Sequence, residues 1–196
     1  MKDVKEARQR SKDKNKGEYQ PYLANLNVQW GEFRLSSLKV MRFEEHEKDR
    51  YGLKYGDLII CEGGEPGRCA IWRDELPNMK VQKALHRLRV LDGYSSDFLF
   101  YRMLLAGKNQ ELHRHFIGST IKHLTGIGLK NIEFEFPSLG EQETIASALR
   151  SLDKKIQLNN KLNTELEAMA KLIYDYWFVQ FDFPDANGKP YKSSGG

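Results

Sequence analysis

The chain has 196 residues, 40% hydrophobic and 30% charged, with a formal net charge of +4. That is enough for one domain with a real core plus an extended element, and no apolar run approaches the ~20 residues of a membrane span. The opening MKDVKEARQRSKDKNK is too polar for a secretory signal, and Cys61 and Cys69 fit neither a disulfide framework nor a metal site, so a reducing cytoplasm is the default compartment.

Charge is unevenly placed along the chain. Residues 1–20 carry seven Lys or Arg against four acids, and residues 102–130 carry five against Glu111 alone. Such basic clusters suit a phosphate backbone; ordinary solvated charge is the bland alternative.

Residues 19–30 open the folded domain, with Pro21 and Asn25 as turn residues. Val28 and Trp30 alternate as in a strand that Gly31 breaks. Residues 33–41 hold a further short strand or turn. The charged stretch MRFEEHEKDRYGL reads as a short exposed helix ending near Gly52. Residues 58–61 and 69–72 read as a hairpin whose tip contains Gly63, Gly64, Pro66 and Gly67. A tip of that composition lets the backbone approach another surface closely. It is not a phosphate-binding loop, because no strand–G-x-x-x-x-G-K-S/T–helix arrangement is present. A corner demanded by sheet geometry fits it as well as a contact with nucleic acid or a partner.

Residues 81–91 read as one strand. Asp97 is placed to cap a core helix through FLFYRMLLAG, and residues 109–116 continue as a second short helix. Residues 118–124 form a small polar loop whose Ser119, Thr120, Lys122 and His123 suit phosphates or base edges. Residues 132–136, IEFEF, alternate as a last strand. Strands and helices are mixed, so the class is α+β. Catalytic chemistry is thin. His113, His115 and His123 lack the carboxylate or Cys of a metal set, and Glu44, Glu45 and Asp49 form only a weak nuclease-like cluster.

Residues 137–183 read as one long helix. Ser138 is its N-cap and Glu141 completes a capping box. Ile145, Leu149, Leu152, Ile156, Leu166, Ala170, Ile173 and Trp177 recur at heptad spacing, with Asn159 and Asn163 as a polar notch. A second stripe runs through Leu158, Leu162, Met169, Leu172 and Tyr176. At ~1.5 Å per residue the helix is a rod of roughly 60 Å. A domain of ~135 residues is only about 30 Å across. Part of the rod is therefore expected to project, with an apolar seam that needs cover. Domain boundaries fall at 1–136, 137–183 and 184–196.

Several segments together carry a resemblance: PYLANLNVQWG, GDLIICEGGEPGRCAIW, QKALHRLR, LKNIEFEFPSLGEQETIASALRSLDKKIQLNNKLNTELE and YDYWFVQFDFPDANGKPYKSSGG. The chain resembles the specificity (S) subunit of type I restriction–modification systems. The most specific feature is the entry into the long helix, here Pro137, Leu139, Glu141, Gln142 and Ile145, with its YxxWF–FDFP exit. The resemblance implies a mixed α/β target recognition domain that reads one half of a split DNA sequence. It implies a long coiled-coil-forming helix that pairs antiparallel with another and docks methyltransferase (M) subunits. S-adenosylmethionine and ATP then belong to the M and restriction (R) subunits, and this chain is not an enzyme and binds no cofactor or metal.

A full S subunit has two recognition domains and two helices, whereas one of each is present here. The chain is accordingly expected to be a natural half-subunit or a piece of a longer one, pairing through Ile145, Leu149, Leu152, Ile156, Asn159, Asn163, Leu166, Ile173 and Trp177 into a two-fold homodimer. From residue chemistry, Arg68, Lys83, His86, Arg87, Ser119, Thr120, Lys122 and His123 are candidate base contacts. Arg8, Arg10, Lys12, Lys14 and Lys16 are candidate phosphate contacts. A coiled-coil adaptor that binds protein, and a small metal-dependent nuclease using Glu44 to Asp49, are the competing readings.

Overall fold

The computed structural model describes residues 16–181 and 183–193. The chain divides into two units, residues 1–146 and 147–196.

The first unit is built on two three-stranded sheets. In one, β1 (Glu18–Leu23) pairs antiparallel with β2 (Lys39–Phe43) and parallel with β5 (Lys80–Val81). In the other, β3 (Leu58–Cys61) lies between β4 (Cys69–Ile71) and β6 (Leu85–Leu88), antiparallel to both. Strand β3 shows why its sequence is continuously apolar. Alternate side chains point to opposite faces of a strand, and here both faces are covered. Ile59 and Cys61 join Leu23, Val28, Ala70, Trp72 and Val81 in one core. Leu58 and Ile60 join Cys69, Ile71, Phe100, Met103, Ala106, Leu112 and Leu124 in a second. The helix α2 (Ser96–Lys108) supplies Phe100, Met103 and Ala106 to that second core. Phe100 and Met103 each contribute about 1.5–3 kcal/mol by leaving water, and the Ala106 methyl rather less.

Several expected elements take another form. No strand runs through Val28 and Trp30. Residues Asn25–Asn27 form a 3-10 turn instead. The fully buried Asn27 holds it, accepting from the Ala24 amide at 2.9 Å and donating to the Arg34 carbonyl at 2.9 Å. The charged stretch splits into the end of β2, a 3-10 turn (Glu45–Glu47) and the short helix α1 (Lys48–Tyr51), capped by Gly52 as expected. The single strand expected over 81–91 is two strands in two sheets, because the chain turns at Gln82 and leaves β1 for β3. Ser95, not Asp97, caps α2, its hydroxyl accepting from the Phe98 amide; Asp97 pairs with Arg73. Residues Glu111–His115 are a 3-10 helix, and α3 (Gly126–Lys130) was not anticipated. The IEFEF segment makes no ladder. Its alternation is nevertheless real: Ile132 and Phe134 pack on the second core, and Phe136 meets Tyr94 and Phe98 at ring distances of 5.1 and 5.5 Å.

The helix α4 (Leu139–Tyr174) has 36 residues, and Asp175–Gln180 continue it as a π-helical turn. Ser138 caps it. The Glu141 amide donates to the Ser138 hydroxyl at 3.4 Å, and Glu141 Oε2 accepts from the Ser138 amide and hydroxyl at 3.0 and 2.7 Å. The helical winding stops short of Phe183. Phe181 adopts a left-handed backbone at φ 58°, and Phe183 stacks on both Trp177 and Tyr191 at 5.1 Å. The left-handed turn at Phe181 thus ends the helix before Pro184 would. A tight turn follows, in which the Asp185 carboxylate accepts from the amides of Asn187 and Lys189. No helix among the described residues is long and apolar enough to cross a membrane.

Candidate nucleic-acid interface

The tip of the β3–β4 hairpin is where distant parts of the first unit meet. Asn25 Nδ2 donates to the Gly63 carbonyl at 2.6 Å. The Leu124 amide donates to the Glu62 carbonyl at 2.8 Å. His86 Nε2 donates to the Leu124 carbonyl at 2.8 Å. The His123 ring lies so close to Gly63 that a methyl there would sit 3.1 Å from it. Residues 25, 63, 86 and 124, far apart in sequence, are therefore fixed to one another.

The glycines make that convergence possible. Gly67 has φ +91°, and a Cβ on it would fall 2.6 Å from Leu112 Cδ1. A side chain there would push Leu112 out of its place and strain a backbone conformation that L residues rarely adopt.

Arg68 sits inside this arrangement. Its guanidinium donates to the Asn25 carbonyl at 3.1 Å and to Glu65 Oε2 at 3.3 Å. Glu65 in turn accepts from the Trp30 indole at 2.6 Å. Arg68 thus braces the turn. Beside it runs a cleft of about 480 Å³ lined by Tyr22, Asn25, Lys39, Gly64, Arg68 and Gln82. Of these, Lys39 and Gln82 were not picked out from the sequence, and Asn25 was read only as a turn residue. Nothing in their local pattern marks them, because β1, β2 and β5 meet only in the folded sheet.

The other candidates divide into exposed and engaged groups. Lys83, Ser119, Thr120 and Lys122 are exposed. The last three occupy a loop closed by reciprocal 2.9 Å hydrogen bonds between Ile117 and His123. Lys122 Nζ donates to the Gly118 carbonyl at 2.7 Å. His86 is engaged as described. Arg87 donates to the carbonyls of Asp49 and Gly52, which ties β6 to α1. Lys16 is exposed immediately before β1. Arg8, Arg10, Lys12 and Lys14 lie outside the described residues. In the basic stretch 102–130, Arg102 pairs with Glu111 at 3.4 Å, whereas Lys108, Arg114, Lys122 and Lys130 face solvent.

Burial pushes the Cys61 and Cys69 thiols up, so both stay protonated packing groups. Of the acidic stretch, Glu47 Oε2 accepts from the Glu44 amide at 3.0 Å, and Glu45 pairs with Lys48 at 2.5 Å. Among the described residues, no three His, Cys, Asp or Glu side chains gather as a metal-holding group.

On α4 and its π-helical continuation, Ile145, Leu152, Ile156, Leu166, Ile173 and Trp177 are each 44–57% exposed. Leu149 is half-buried, and Asn159 and Asn163 are exposed on the same stripe. The second stripe is exposed too, through Leu158, Leu162, Met169, Leu172 and Tyr176.

Comparison with known proteins gives this arrangement a context. The type I restriction modification DNA specificity domain family matches residues 2–168. The chain is 34% identical over 127 residues to the type I restriction enzyme MjaIX specificity subunit of Methanocaldococcus jannaschii, covering 65% of this chain and 29% of that relative. It is 29% identical over 138 residues to the HindI specificity subunit of Haemophilus influenzae, covering 66% of this chain and 29% of that relative. Among solved structures, the HsdS subunit from Thermoanaerobacter tengcongensis shares the fold at a TM-score of 0.56 and 19% identity, over 91% of this chain and 46% of that one. The chain thus spans under a third of the length of these curated relatives.

Proposed function

The chain belongs to the family of type I restriction–modification DNA specificity domains, and from that premise we propose that it reads one half of a split DNA target. The first unit is the reader. The second carries the α4 seam, through which two such units pair with two-fold symmetry and which also docks methyltransferase subunits. The chain performs no chemistry. S-adenosylmethionine and ATP act on the methyltransferase and restriction subunits of the assembled complex.

The observation that carries this reading is the convergence at the β3–β4 tip. A braced turn, a cleft and an exposed polar loop are drawn from four separate stretches and fixed to one another by hydrogen bonds to backbone carbonyls. Base readout needs donors held in register before the DNA arrives, while phosphate contacts set orientation. Lys83, Ser119, Thr120 and Lys122 are the exposed groups of this surface. Arg68, His86, Arg87 and His123 act mainly by holding it in shape.

Binding to randomised duplex DNA, followed at several salt concentrations, tests the proposal. Enrichment of a defined sequence, with affinity falling steeply as salt rises, is the expected result. Salt-insensitive binding to protein in place of DNA would favour the adaptor reading. Cleavage of DNA by the purified chain with Mg²⁺ alone would favour the nuclease.

A further inference from the structure

We propose that Gln142 is a positioning residue that fixes the root of α4 and so restricts how many unread base pairs two half-sites can have between them. The inference rests on the paired reading just given.

Gln142 is only 1% exposed, a polar side chain enclosed in the first turns of the chain's longest helix. Both ends of its amide are used. Oε1 accepts from the Ser95 amide at 3.0 Å, and Nε2 donates to the Pro137 carbonyl at 2.8 Å. Ser95 is itself the N-cap of α2, and α2 packs on the core that includes β3 and β4. One side chain therefore ties the entry of α4 to the start of the helix behind the reading sheet.

The polar choice is informative. Burial alone would be served by Leu, which leaves neighbouring surfaces free to slide. An amide used at both ends accepts one register of its partners, because any slip leaves a buried donor or acceptor unpaired. Among the described contacts, no other side chain at the root does this. Ala146, a turn further on, presents a methyl group, and the Ser138–Glu141 capping box is internal to the helix start. The joint matters because DNA is helical. Each base pair added between two half-sites turns one about a tenth of a revolution from the other and moves it ~3.4 Å. Tolerance to spacing is then governed by how firmly each reader is held to its helix.

Selection from randomised DNA by the 196-residue chain reads half-site and spacing in one experiment. Wild type is expected to enrich inverted half-sites at one spacing. Gln142→Leu is expected to enrich the same half-sites over neighbouring spacings, its preference for the best spacing falling roughly tenfold, as for one lost buried partner. Gln142→Met keeps an unbranched side chain of similar length without the amide, and serves if the Leu variant does not fold; it should broaden the spacing to the same degree. Ser138→Ala removes the cap without touching Gln142 and should leave the spacing unchanged. A single unchanged spacing in the folded Gln142 variants, or equal broadening by Ser138→Ala, overturns the inference. Enrichment of single half-sites by wild type overturns the paired reading itself, and the inference falls with it.

Discussion

At the scale of single residues, the separation of readers from braces can be tested directly. Lys122 is exposed on the polar loop, with only the Gly118 carbonyl as its hydrogen-bond partner among the described contacts. Lys122→Ala should weaken DNA binding. An equal loss on every sequence marks a phosphate contact, and a loss confined to the preferred sequence marks a base contact. Asp57 is a brace of another kind. Its carboxylate is fully buried and takes both Arg89 Nε and a terminal Arg89 nitrogen at 2.7 Å. Arg89→Met removes the charge partner of that carboxylate and leaves it, among the described contacts, the Lys54 amide that donates to Oδ2 at 2.8 Å. The half-exposed Arg89 head keeps the cost below that of an enclosed pair, so about 2–3 kcal/mol of stability should be lost in chemical denaturation, with DNA specificity retained by what remains folded. Residue chemistry alone marks Arg68, His86 and Arg87 as DNA contacts as readily as Lys122. Their engagement depends on Asn25, Leu124 and Gly52, partners that no local pattern reveals.

At the scale of elements, legibility followed how local the determinants are. The Ser138–Glu141 box lies within four residues, and the structure forms it as the spacing suggests. The β3–β4 hairpin was equally plain, since a glycine-rich turn between two apolar runs needs no distant information. Residues 81–91 misled because an apolar–basic alternation says nothing of which sheet each half joins. IEFEF misled in a narrower way: its alternation records burial on one side, not pairing with a strand. The capping box also predicts a pH response. Hydrogen bonds from the Ser138 hydroxyl, and then its amide, hold the Glu141 carboxyl below its ordinary 4.5. A carboxyl depressed in the folded state contributes stability above its unfolded pKa and loses it as pH falls through the folded value. The start of α4 should therefore be best held near neutral pH and weaken progressively below about pH 4.5. Ser138→Ala should cost about 1 kcal/mol at neutral pH and flatten this acid dependence, both read from thermal melts across pH.

At the scale of the whole molecule, the two units pose different problems. The first closes its own cores around both faces of β3. The second presents an apolar stripe that the described chain leaves exposed from Leu152 to Trp177. Contiguous apolar surface of this kind marks an interaction site, and the stripe's heptad spacing favours another helix as its cover. The proposed pairing would have consequences for DNA beyond adding contacts. With one reader of such a pair bound, its tethered partner would meet the second half-site at high effective concentration, raising overall affinity by ~10²–10⁴ without a new contact. The number of phosphates neutralised per complex would also double, and with it the slope of log affinity against log salt. A charge in the stripe should undo both together. Leu152→Asp, at a position 56% exposed in the single chain, should fold normally. It should stay monomeric at concentrations where wild type doubles its mass, bind DNA at least ~10²-fold more weakly, and show about half the salt slope. Full affinity and an unchanged slope in a monomeric Leu152→Asp chain would mean that one unit supplies all the contacts. The stripe would then serve only to dock other subunits.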